Sequence, residues 1–345
     1  MNVTAAFPVT EGSQVAEPRR TVQWLASRLD FSDERVGRAA LIVSELATNL
    51  AKHARNGELL MRPLPTGDGD LDGLEILALD KGPGIPDIAL SRRDGYSTSG
   101  TLGQGLGAIQ RQADWLDLYS HHTGTAIAVR LWRDRDHERS ASGRAPMEVG
   151  AVHVSKSGES VCGDAWSWRW REGRLALFIA DGLGHGLAAH EAAEAAVRVF
   201  SASHEERPGR LIEDVHAALK PTRGAAVASM AIDLERGVAA YAGLGNITAT
   251  VILSSGGRHH MVSHNGTAGH TAARIQEFSY PVPRSAIVVM YSDGLATQWD
   301  LSAYPGLATH SASVIAGVLY RDFSRRRDDV TVVVVRERTP NAEKV

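Results

Sequence analysis

The apolar periodicity of the sequence breaks at Arg133–Pro146, where the chain reads RDRDHERSASGRAP. Charges of both signs alternate there and a Ser/Gly/Pro tract follows, a composition that buries too little apolar surface to order itself. A chain of 345 residues is expected to hold two domains, at roughly 150 residues per domain. We therefore predict domains at residues 1–132 and 148–338, joined by a linker at 133–147.

Composition excludes several classes of protein. The chain carries 37 Lys and Arg against 40 Asp and Glu, a net charge of −3, so no basic field for nucleic-acid binding is expected. A single cysteine excludes a disulfide framework and a cysteine-based zinc site. The apolar runs Leu175–Ala180 and Ala286–Tyr291 are far shorter than the ~20 residues that span a bilayer, and the N-terminus lacks a secretion signal. We expect a cytoplasmic protein with neither nucleic-acid nor membrane partner.

The two halves differ in their patterns of apolar residues. In the first half we predict helices at Val22–Leu29, Glu34–Ala54 and Leu106–Leu116, strands at Leu74–Leu79 and Thr125–Trp132, and a loop at Pro63–Gly73. In the second half we predict strands at Val149–Val154, Leu175–Ala180, Ala225–Asp233, Val238–Ala242, Ala249–Ser254, Ala286–Tyr291 and Val330–Arg336, with helices at Ala188–Ser203 and Arg210–Ala218. Strand runs with segregated helices predict an α+β fold.

Three motifs in the first half could contribute to a site that binds a phosphate-containing ligand. Glu45 and Asn49 share the polar face of a predicted helix, where they suit a metal-bound phosphate or simply form a solvated face. Asp80 ends a strand and opens DKGPGI, which is a ligand-approaching turn or an ordinary Gly-Pro turn. The glycines of GTLGQGLG precede a helix, whose N-terminus attracts phosphate. The polar stretch before them is not a strand, which argues against a Rossmann fold, and the P-loop Gly-Lys-Ser/Thr is absent.

The ordered motifs ELATNLAKHA, DKGPGI, TSGTLGQGLGAIQR and GTAIAVRLW resemble the GHKL (histidine-kinase-like) ATPases over most of residues 15–132. The likeness is greatest to the serine/threonine kinases of the bacterial sigma-factor partner switch. It implies a Bergerat-type α/β sandwich that binds ATP, with Asn49 on Mg²⁺, Glu45 as general base and Asp80 on the adenine amino group. It also implies that the pocket, its lid and its backing strand include Gly82, Gly84, Gly103, Gly105, Gly107 and Thr125.

Aspartates recur at strand ends in the second half. Asp164 follows Cys-Gly, Asp181 and Asp293 each precede a glycine after an apolar strand, and Asp328-Asp329 stands before the strand VTVVVV. Carboxylates at such places are costly to bury unless a cation pairs with them, and oxygen ligands suit Mg²⁺ or Mn²⁺. An Asp-Gly pair is also a common turn, so the spacing alone leaves metal site and turn equally open.

The order SVCGD, FIADGLGHG, YSDGLA and DDVTVVV resembles the PPM (type 2C) serine/threonine phosphatases over Val149–Arg336. The bacterial branch of the stage II sporulation phosphatase and the stressosome feedback phosphatase is the most similar. The resemblance implies an α-β-β-α sandwich with two Mn²⁺ or Mg²⁺ ions that activate a water molecule. It places the metal ligands at Asp164, Asp181, the carbonyl of Gly182, Asp293 and Asp328, with Asp329 as the alternative to Asp328.

Four short segments of the second half have other possible functional interpretations. Cys162 is not a tyrosine-phosphatase nucleophile, because Trp168 stands where that loop requires Arg. The segment His190–Glu194 lacks the second His of a zinc protease. The basic cluster Arg321–Arg327 is either a solvated helix end or a surface that steers an acidic phosphoprotein. Gly243–Asn246 resembles a feedback-phosphatase turn near a substrate approach.

Together the two resemblances imply a bifunctional partner-switch regulator. The first domain would phosphorylate a protein antagonist and the second would remove phosphate from that protein or a relative. The implied partners are STAS-domain antagonists or stressosome scaffold proteins, and a homodimer is compatible with this arrangement. The alternative is a metal-dependent phosphatase whose first domain is a non-catalytic ATP-sensing or partner-binding module.

Overall fold

The computed structural model describes residues 4–65, 71–88, 105–134 and 146–338. These residues form three five-stranded sheets with helices packed on them and between them. In the described residues no helix is both long enough and apolar enough to cross a membrane. The architecture is the predicted α+β fold with two domains.

The first sheet is antiparallel, with strand order β1-β2-β3-β5-β4. Its strands are β1 (Ala5–Pro8), β2 (Glu58–Pro65), β3 (Leu71–Asp80), β4 (Trp115–His121) and β5 (Gly124–Trp132). One face is covered by α1 (Ala16–Arg28), α2 (Asp33–His53) and α3 (Gly105–Gln112). Because strand side chains alternate between faces, Leu74 and Ile76 pack beneath these helices while Leu77 and Leu79 pack on the opposite side.

Helix α2 is fixed by a local signal at its start. The Ser32 hydroxyl accepts a hydrogen bond from the Arg35 backbone N–H at 3.4 Å, and Asp33 and Glu34 carry negative charge in the first turn. The helix buries one stripe of mostly apolar residues against the sheet. Glu45 and Asn49 lie outside that stripe and are half-buried. The sheet therefore orients the helix so that these two polar side chains remain accessible.

The second domain is a sandwich of two antiparallel sheets, ordered β13-β10-β9-β8-β7 and β12-β11-β14-β15-β6. The strands are β6 (Met147–Val154), β7 (Asp164–Arg171), β8 (Arg174–Gly182), β9 (Ala225–Asp233), β10 (Val238–Leu244), β11 (Thr248–Ile252), β12 (Arg258–His260), β13 (Phe278–Pro281), β14 (Ile287–Tyr291) and β15 (Val330–Glu337). Leu177 and Met230 of one sheet share a buried cluster with Val288 and Val333 of the other. Helices α4 (Leu187–Ala202) and α5 (Pro208–Ala218) cover the outer face of the first of these two sheets.

Helix α6 (Ala312–Phe323) lies between the two domains. Every residue from Ala312 to Arg321 is buried, as expected of a helix with packed elements on all sides. One apolar cluster joins α6 to Leu77 and Leu79 of the first domain and to Val289 and Val332 of the second. The first sheet, α6 and the sandwich therefore share a single core.

A buried charge network accompanies this shared core. The Glu75 carboxylate accepts hydrogen bonds from Arg62 at 2.7 Å, Arg130 at 2.8 Å and the Ser313 hydroxyl at 2.6 Å. Arg130 also donates to Glu148 of β6 at 2.9 Å, so the network crosses between domains. Burial would raise the pKa of Glu75, but the charges of Arg62 and Arg130 and the hydrogen bonds from Ser313 and Arg130 together lower that pKa to about 2.

Several local expectations from sequence are wrong. The helix predicted at Leu106–Leu116 ends at Gln112, and Trp115 and Leu116 begin β4 instead. The loop predicted at Pro63–Gly73 is narrower, since β2 continues to Pro65 and β3 starts at Leu71. The sequence patterns did not predict α6 or the strands β1, β2, β4, β7, β12 and β13. The proposed linker lies mostly outside the described residues, so the boundary at 133–147 stays a prediction.

Candidate active sites

The first candidate site begins on the polar face of α2. Asn49 faces the first residue of α3, because a Cβ atom placed on Gly105 would lie 3.5 Å from the Asn49 Oδ1 atom. The N-terminus of α3 therefore opens beside Asn49, where backbone N–H groups can meet a phosphate. Glu45, one turn before Asn49, is half-buried on the same face. Gly107 is buried in the first turn of α3, while Gly103 lies outside the described residues.

Asp80 ends β3 and is held in a tight turn. Its Oδ1 atom accepts a hydrogen bond from the Gly82 backbone N–H at 2.6 Å, and a Cβ atom on Gly82 would approach that oxygen to 2.8 Å. Burial raises the pKa of the Asp80 carboxyl, although the Gly82 hydrogen bond and the Arg321 charge oppose the rise. Asp80 pairs in register with Thr125 of β5, so the predicted adenine acceptor and the predicted backing residue are neighbours.

The rest of this turn packs on the ends of β4 and β5. Gly84 has φ +80°, and a Cβ atom there would lie only 2.4 Å from the His121 carbonyl oxygen. The Ile85 backbone N–H donates to the Ser120 hydroxyl at 2.7 Å, and that hydroxyl lies 3.0 Å from the Thr125 hydroxyl. The glycine is required here for both its conformation and its lack of a side chain. Sequence reasoning missed Ser120, which secures the turn from another strand.

The second candidate site lies where β7 and β8 meet. Asp164 and Asp181 are register partners across these strands. Asp164 is almost fully buried, and its Oδ2 atom accepts hydrogen bonds from Ser292 at 2.6 Å and Thr331 at 2.8 Å. Its Oδ1 atom is buried with no hydrogen-bond partner among the residues that the structure describes. A buried carboxylate oxygen without a donor is suited to a cation, so this donor set fits a divalent metal ion.

Like charges surround both aspartates. Burial raises the pKa of Asp181 to about 9, with further contributions from Asp164, Asp293, Asp328 and Asp329. Burial also raises the pKa of Asp164 to about 7, against the hydrogen bonds from its two hydroxyl partners. The predicted ligands are therefore brought within electrostatic reach of one another. Among the described residues, however, no three His, Cys, Asp or Glu side chains are already grouped closely enough to hold a metal ion.

The remaining predicted ligands occupy the rim. Asp293 accepts a hydrogen bond from the Asn246 side-chain amide at 2.7 Å, which places the Gly243–Asn246 turn directly beside the acidic group. Asp328 is exposed and accepts from the Asp329 backbone N–H at 3.0 Å. Asp329 is buried and accepts from the Lys156 backbone N–H at 2.8 Å. Both lie near Asp181, so the choice between them stays open.

The Gly182 position allows no side chain. A Cβ atom there would lie 2.0 Å from the Ala189 carbonyl oxygen, because α4 packs directly on the end of β8.

The sequence analysis did not predict the hydrogen bonds that Ser292 and Thr331 donate to Asp164. Two features of the sequence could have indicated these partners. Ser292 directly precedes Asp293, and the alternation of side chains along β15 turns Thr331 inward. His185 is exposed and lies 2.6 Å from Glu159, and nothing in this arrangement assigns it an acid role.

The fold and the two sites together define a histidine-kinase-like ATPase domain joined to a PPM-type phosphatase domain. Residues 7–131 match the family described as histidine kinase-like ATPase domain, and residues 171–338 match stage II sporulation protein E (SpoIIE). The chain belongs to the histidine kinase-like ATPase family through its first domain, and its second domain is of the SpoIIE phosphatase type. It is an enzyme, a metal-dependent protein serine/threonine phosphatase joined to a kinase-homologous domain.

Particular relatives agree with this assignment. The serine/threonine-protein kinase RsbT of Bacillus subtilis (strain 168) is 34% identical over 133 residues, which cover 38% of this chain and 98% of RsbT. The phosphoserine phosphatase RsbX of the same strain is 24% identical over 186 residues, which cover 52% of this chain and 90% of RsbX.

A solved structure also resembles the chain. It is described as "The bacterial stressosome: a modular system that has been adapted to control secondary messenger signaling" and has a TM-score of 0.52 at 27% identity. The match covers 56% of this chain and all of that one. An ATPase domain and a PPM phosphatase imply ATP and a divalent metal ion such as Mg²⁺. These findings support a role in partner-switch regulation.

Proposed function

We propose that the chain is a bifunctional regulator that adds phosphate to a STAS-domain antagonist or stressosome scaffold protein and removes phosphate from that protein or a relative. The observation that carries the proposal is the presence of both sites in one chain, each within a domain that spans nearly the whole of a kinase or phosphatase relative. The proposed domains are residues 1–132 and 148–338, and the proposed location is the cytoplasm. A homodimer stays a prediction.

In the proposed kinase reaction, Asn49 would hold Mg²⁺ and the N-terminus of α3 would receive the phosphates, while Asp80 would accept a hydrogen bond from the adenine amino group. Glu45 is placed one turn from Asn49, where it removes the proton from the Ser or Thr hydroxyl of the partner. Thr125 supports the Asp80 turn from the adjacent strand.

In the proposed phosphatase reaction, two divalent ions would lower the pKa of a bound water and polarise the phosphoryl group. The chain's part is to hold them through Asp164, Asp181, the Gly182 carbonyl, Asp293 and Asp328. Ser292 and Thr331 orient Asp164, and Asn246 orients Asp293. Mn²⁺ is proposed as an alternative to Mg²⁺, and titration of the metal-free protein with each ion against phosphoprotein hydrolysis separates them.

The kinase assignment is tested with labelled ATP. In an Asp181→Asn background, which silences the phosphatase, we expect label to accumulate on a STAS-domain protein. Adding Glu45→Gln should slow transfer at least about 100-fold, because general-base catalysis contributes about 10²–10⁴-fold. Glu34→Gln on the exposed first turn of the same helix is the matched control. Absence of label on every candidate partner would favour a non-catalytic ATP-sensing or partner-binding domain.

A second prediction concerns the Asp80 turn. Gly84→Ala should weaken nucleotide binding at least about 10-fold, because a side chain at φ +80° is strained and its Cβ meets the His121 carbonyl. The dissociation constant of a fluorescent ATP analogue measures the effect. Gly12→Ala is the control, since a Cβ atom there meets nothing within 4 Å. Equal affinities for both variants would show that this turn does not shape the nucleotide site.

A further inference from the structure

Arg321, in the last turn of α6, reaches from the phosphatase domain into the proposed nucleotide site. Its side chain is 2% exposed. The Nη1 atom donates to the Asp80 carbonyl oxygen at 3.0 Å, across 241 sequence positions. The Nε and Nη2 atoms donate to the Asp322 carboxylate at 3.0 Å and 2.7 Å, which fixes the plane of the guanidinium.

The contact between Arg321 and Asp80 depends on the absence of a side chain at Gly124. A Cβ atom on Gly124 would lie 2.0 Å from the Asp80 carbonyl oxygen and 2.6 Å from the Arg321 Nη1 atom. The neighbouring Lys81 lies 3.6 Å from the Asp322 carboxylate. Two consecutive residues of the β3 turn are therefore held by two consecutive residues of α6. Asp80 belongs to the first domain, but its backbone is held by α6 of the second domain.

The same segment of α6 leads directly to the metal-site loop. The Phe323 carbonyl accepts a hydrogen bond from the Ala296 backbone N–H at 2.9 Å, and the Arg325 backbone N–H donates to the Gly294 carbonyl at 2.9 Å. Gly294 follows Asp293, one of the proposed metal ligands. Residues 321–325 therefore contact the Asp80 turn at one end and the Asp293 loop at the other.

We propose that Arg321 is a positioning residue of the nucleotide site and that residues 321–325 couple this site to the phosphatase site. This inference rests on the proposed ATP-binding and phosphatase functions. Arg321 acts through the Asp80 backbone and sets where the Asp80 carboxylate meets adenine. Because coupling between two binding sites is reciprocal, nucleotide in the first site changes the state of the Asp293 loop.

The positioning role is tested by the binding of a fluorescent, non-hydrolysable ATP analogue to the full chain. Arg321→Met should weaken binding at least about 10-fold, since a charge-assisted hydrogen bond is lost. Arg321→Lys restores a positive donor and should recover part of the affinity, which a purely structural role does not explain. Arg327→Met, on an exposed residue of the basic cluster Arg321–Arg327, should change the affinity less than about twofold. Thermal melting identifies any variant that does not fold.

The coupling is tested by the hydrolysis of p-nitrophenyl phosphate with Mg²⁺, with and without the same analogue. In the wild-type chain the analogue should change kcat at least twofold, and in Arg321→Lys the change should shrink. Equal affinities for wild type, Arg321→Met and Arg321→Lys, or a wild-type kcat that the analogue does not alter, would overturn the inference alone. A wild-type chain that binds no analogue would overturn the proposed ATP function as well.

Discussion

Asp181→Asn is expected to lower metal-dependent phosphoprotein hydrolysis at least about 100-fold, because a proposed metal ligand loses its charge. Four other aspartates contribute to the raised pKa of Asp181. The initial rate of phosphate release from a phosphorylated STAS-domain protein, with Mg²⁺ or Mn²⁺, measures the effect. Asp233→Asn is the matched control, since Asp233 lies at the opposite end of the same sheet, across from Arg174. A rate for Asp181→Asn within about twofold of wild type would contradict the metal assignment.

Stability separates this loss of activity from loss of folding. Burial and the neighbouring aspartates raise the pKa of Asp181, so in the metal-free protein folding disfavours its ionised form and stability falls as the pH rises above the ordinary pKa of an aspartate. Removing the carboxylate removes that cost. The metal-free Asp181→Asn variant should therefore melt above the wild type at pH 7, while added metal should raise the melting temperature of the wild type more than that of the variant.

Glu75→Gln is expected to lower the free energy of unfolding by about 3–5 kcal/mol, because removing one partner of a buried ion pair leaves buried charge uncompensated. Arg62 loses its carboxylate partner, and Arg130 keeps its ion pair with Glu148. Urea unfolding at pH 7 measures the change. Glu235→Gln, in an exposed turn, is the control and should change stability by less than about 0.5 kcal/mol. A loss below about 1 kcal/mol for Glu75→Gln would show that the network does not stabilise the joined domains.

The same residue predicts a dependence on pH. The pKa of Glu75 is lowered to about 2 from the ordinary value of 4.5. Its contribution to stability is therefore fully present above pH 4.5 and is lost as the pH falls towards 2. The difference in unfolding free energy between wild type and Glu75→Gln should shrink over that interval. A difference that stays constant between pH 5 and pH 2.5 would contradict the charge-based explanation.

The elements with clear apolar patterns were predictable. The structure has α2 at Asp33–His53 against a predicted helix at Glu34–Ala54, and β5 at Gly124–Trp132 against a predicted strand at Thr125–Trp132. Both have long runs of one periodicity, and α2 adds a capping serine. The helix predicted at Leu106–Leu116 was too long, because Trp115 and Leu116 are apolar in a strand as well as in a helix. Periodicity identifies a buried face but not the point at which the chain turns.

Helix α6 was not predicted for a related reason. Residues Ala312–Arg321 are buried on every side, so no polar stripe marks the helical period. The arginines of the basic cluster Arg321–Arg327 lie in different environments, which the composition of the cluster did not indicate. Arg321 is buried against the first domain, Arg326 pairs with Glu58, and Arg327 is exposed. The two expectations of a solvated helix end and a steering surface both fail for Arg321.

The candidate sites also contain both local features, which the sequence indicates, and contacts between distant residues, which it does not. Asp80 with Gly82, and Asp181 with Gly182, are local units whose geometry follows from neighbouring residues, so their sequence was enough to indicate them. Ser292 and Thr331 reach Asp164 across 128 and 167 positions, and only the packing of the sandwich brings them there. Sequence also recognised the Gly243–Asn246 turn but not that Asn246 donates to Asp293.

The sequence alone indicated the two kinds of domain, the positions of their motifs and the candidate residues of the two sites. Those features depend on turns, caps and periodicities, which act over a few residues. The packing of the folded chain places α6 between both domains and joins Glu75 to Glu148 through Arg130. It also brings the Arg321 guanidinium to the Asp80 carbonyl oxygen. Apolar burial is non-directional, so the sequence specifies which faces are buried but not which distant face covers each one.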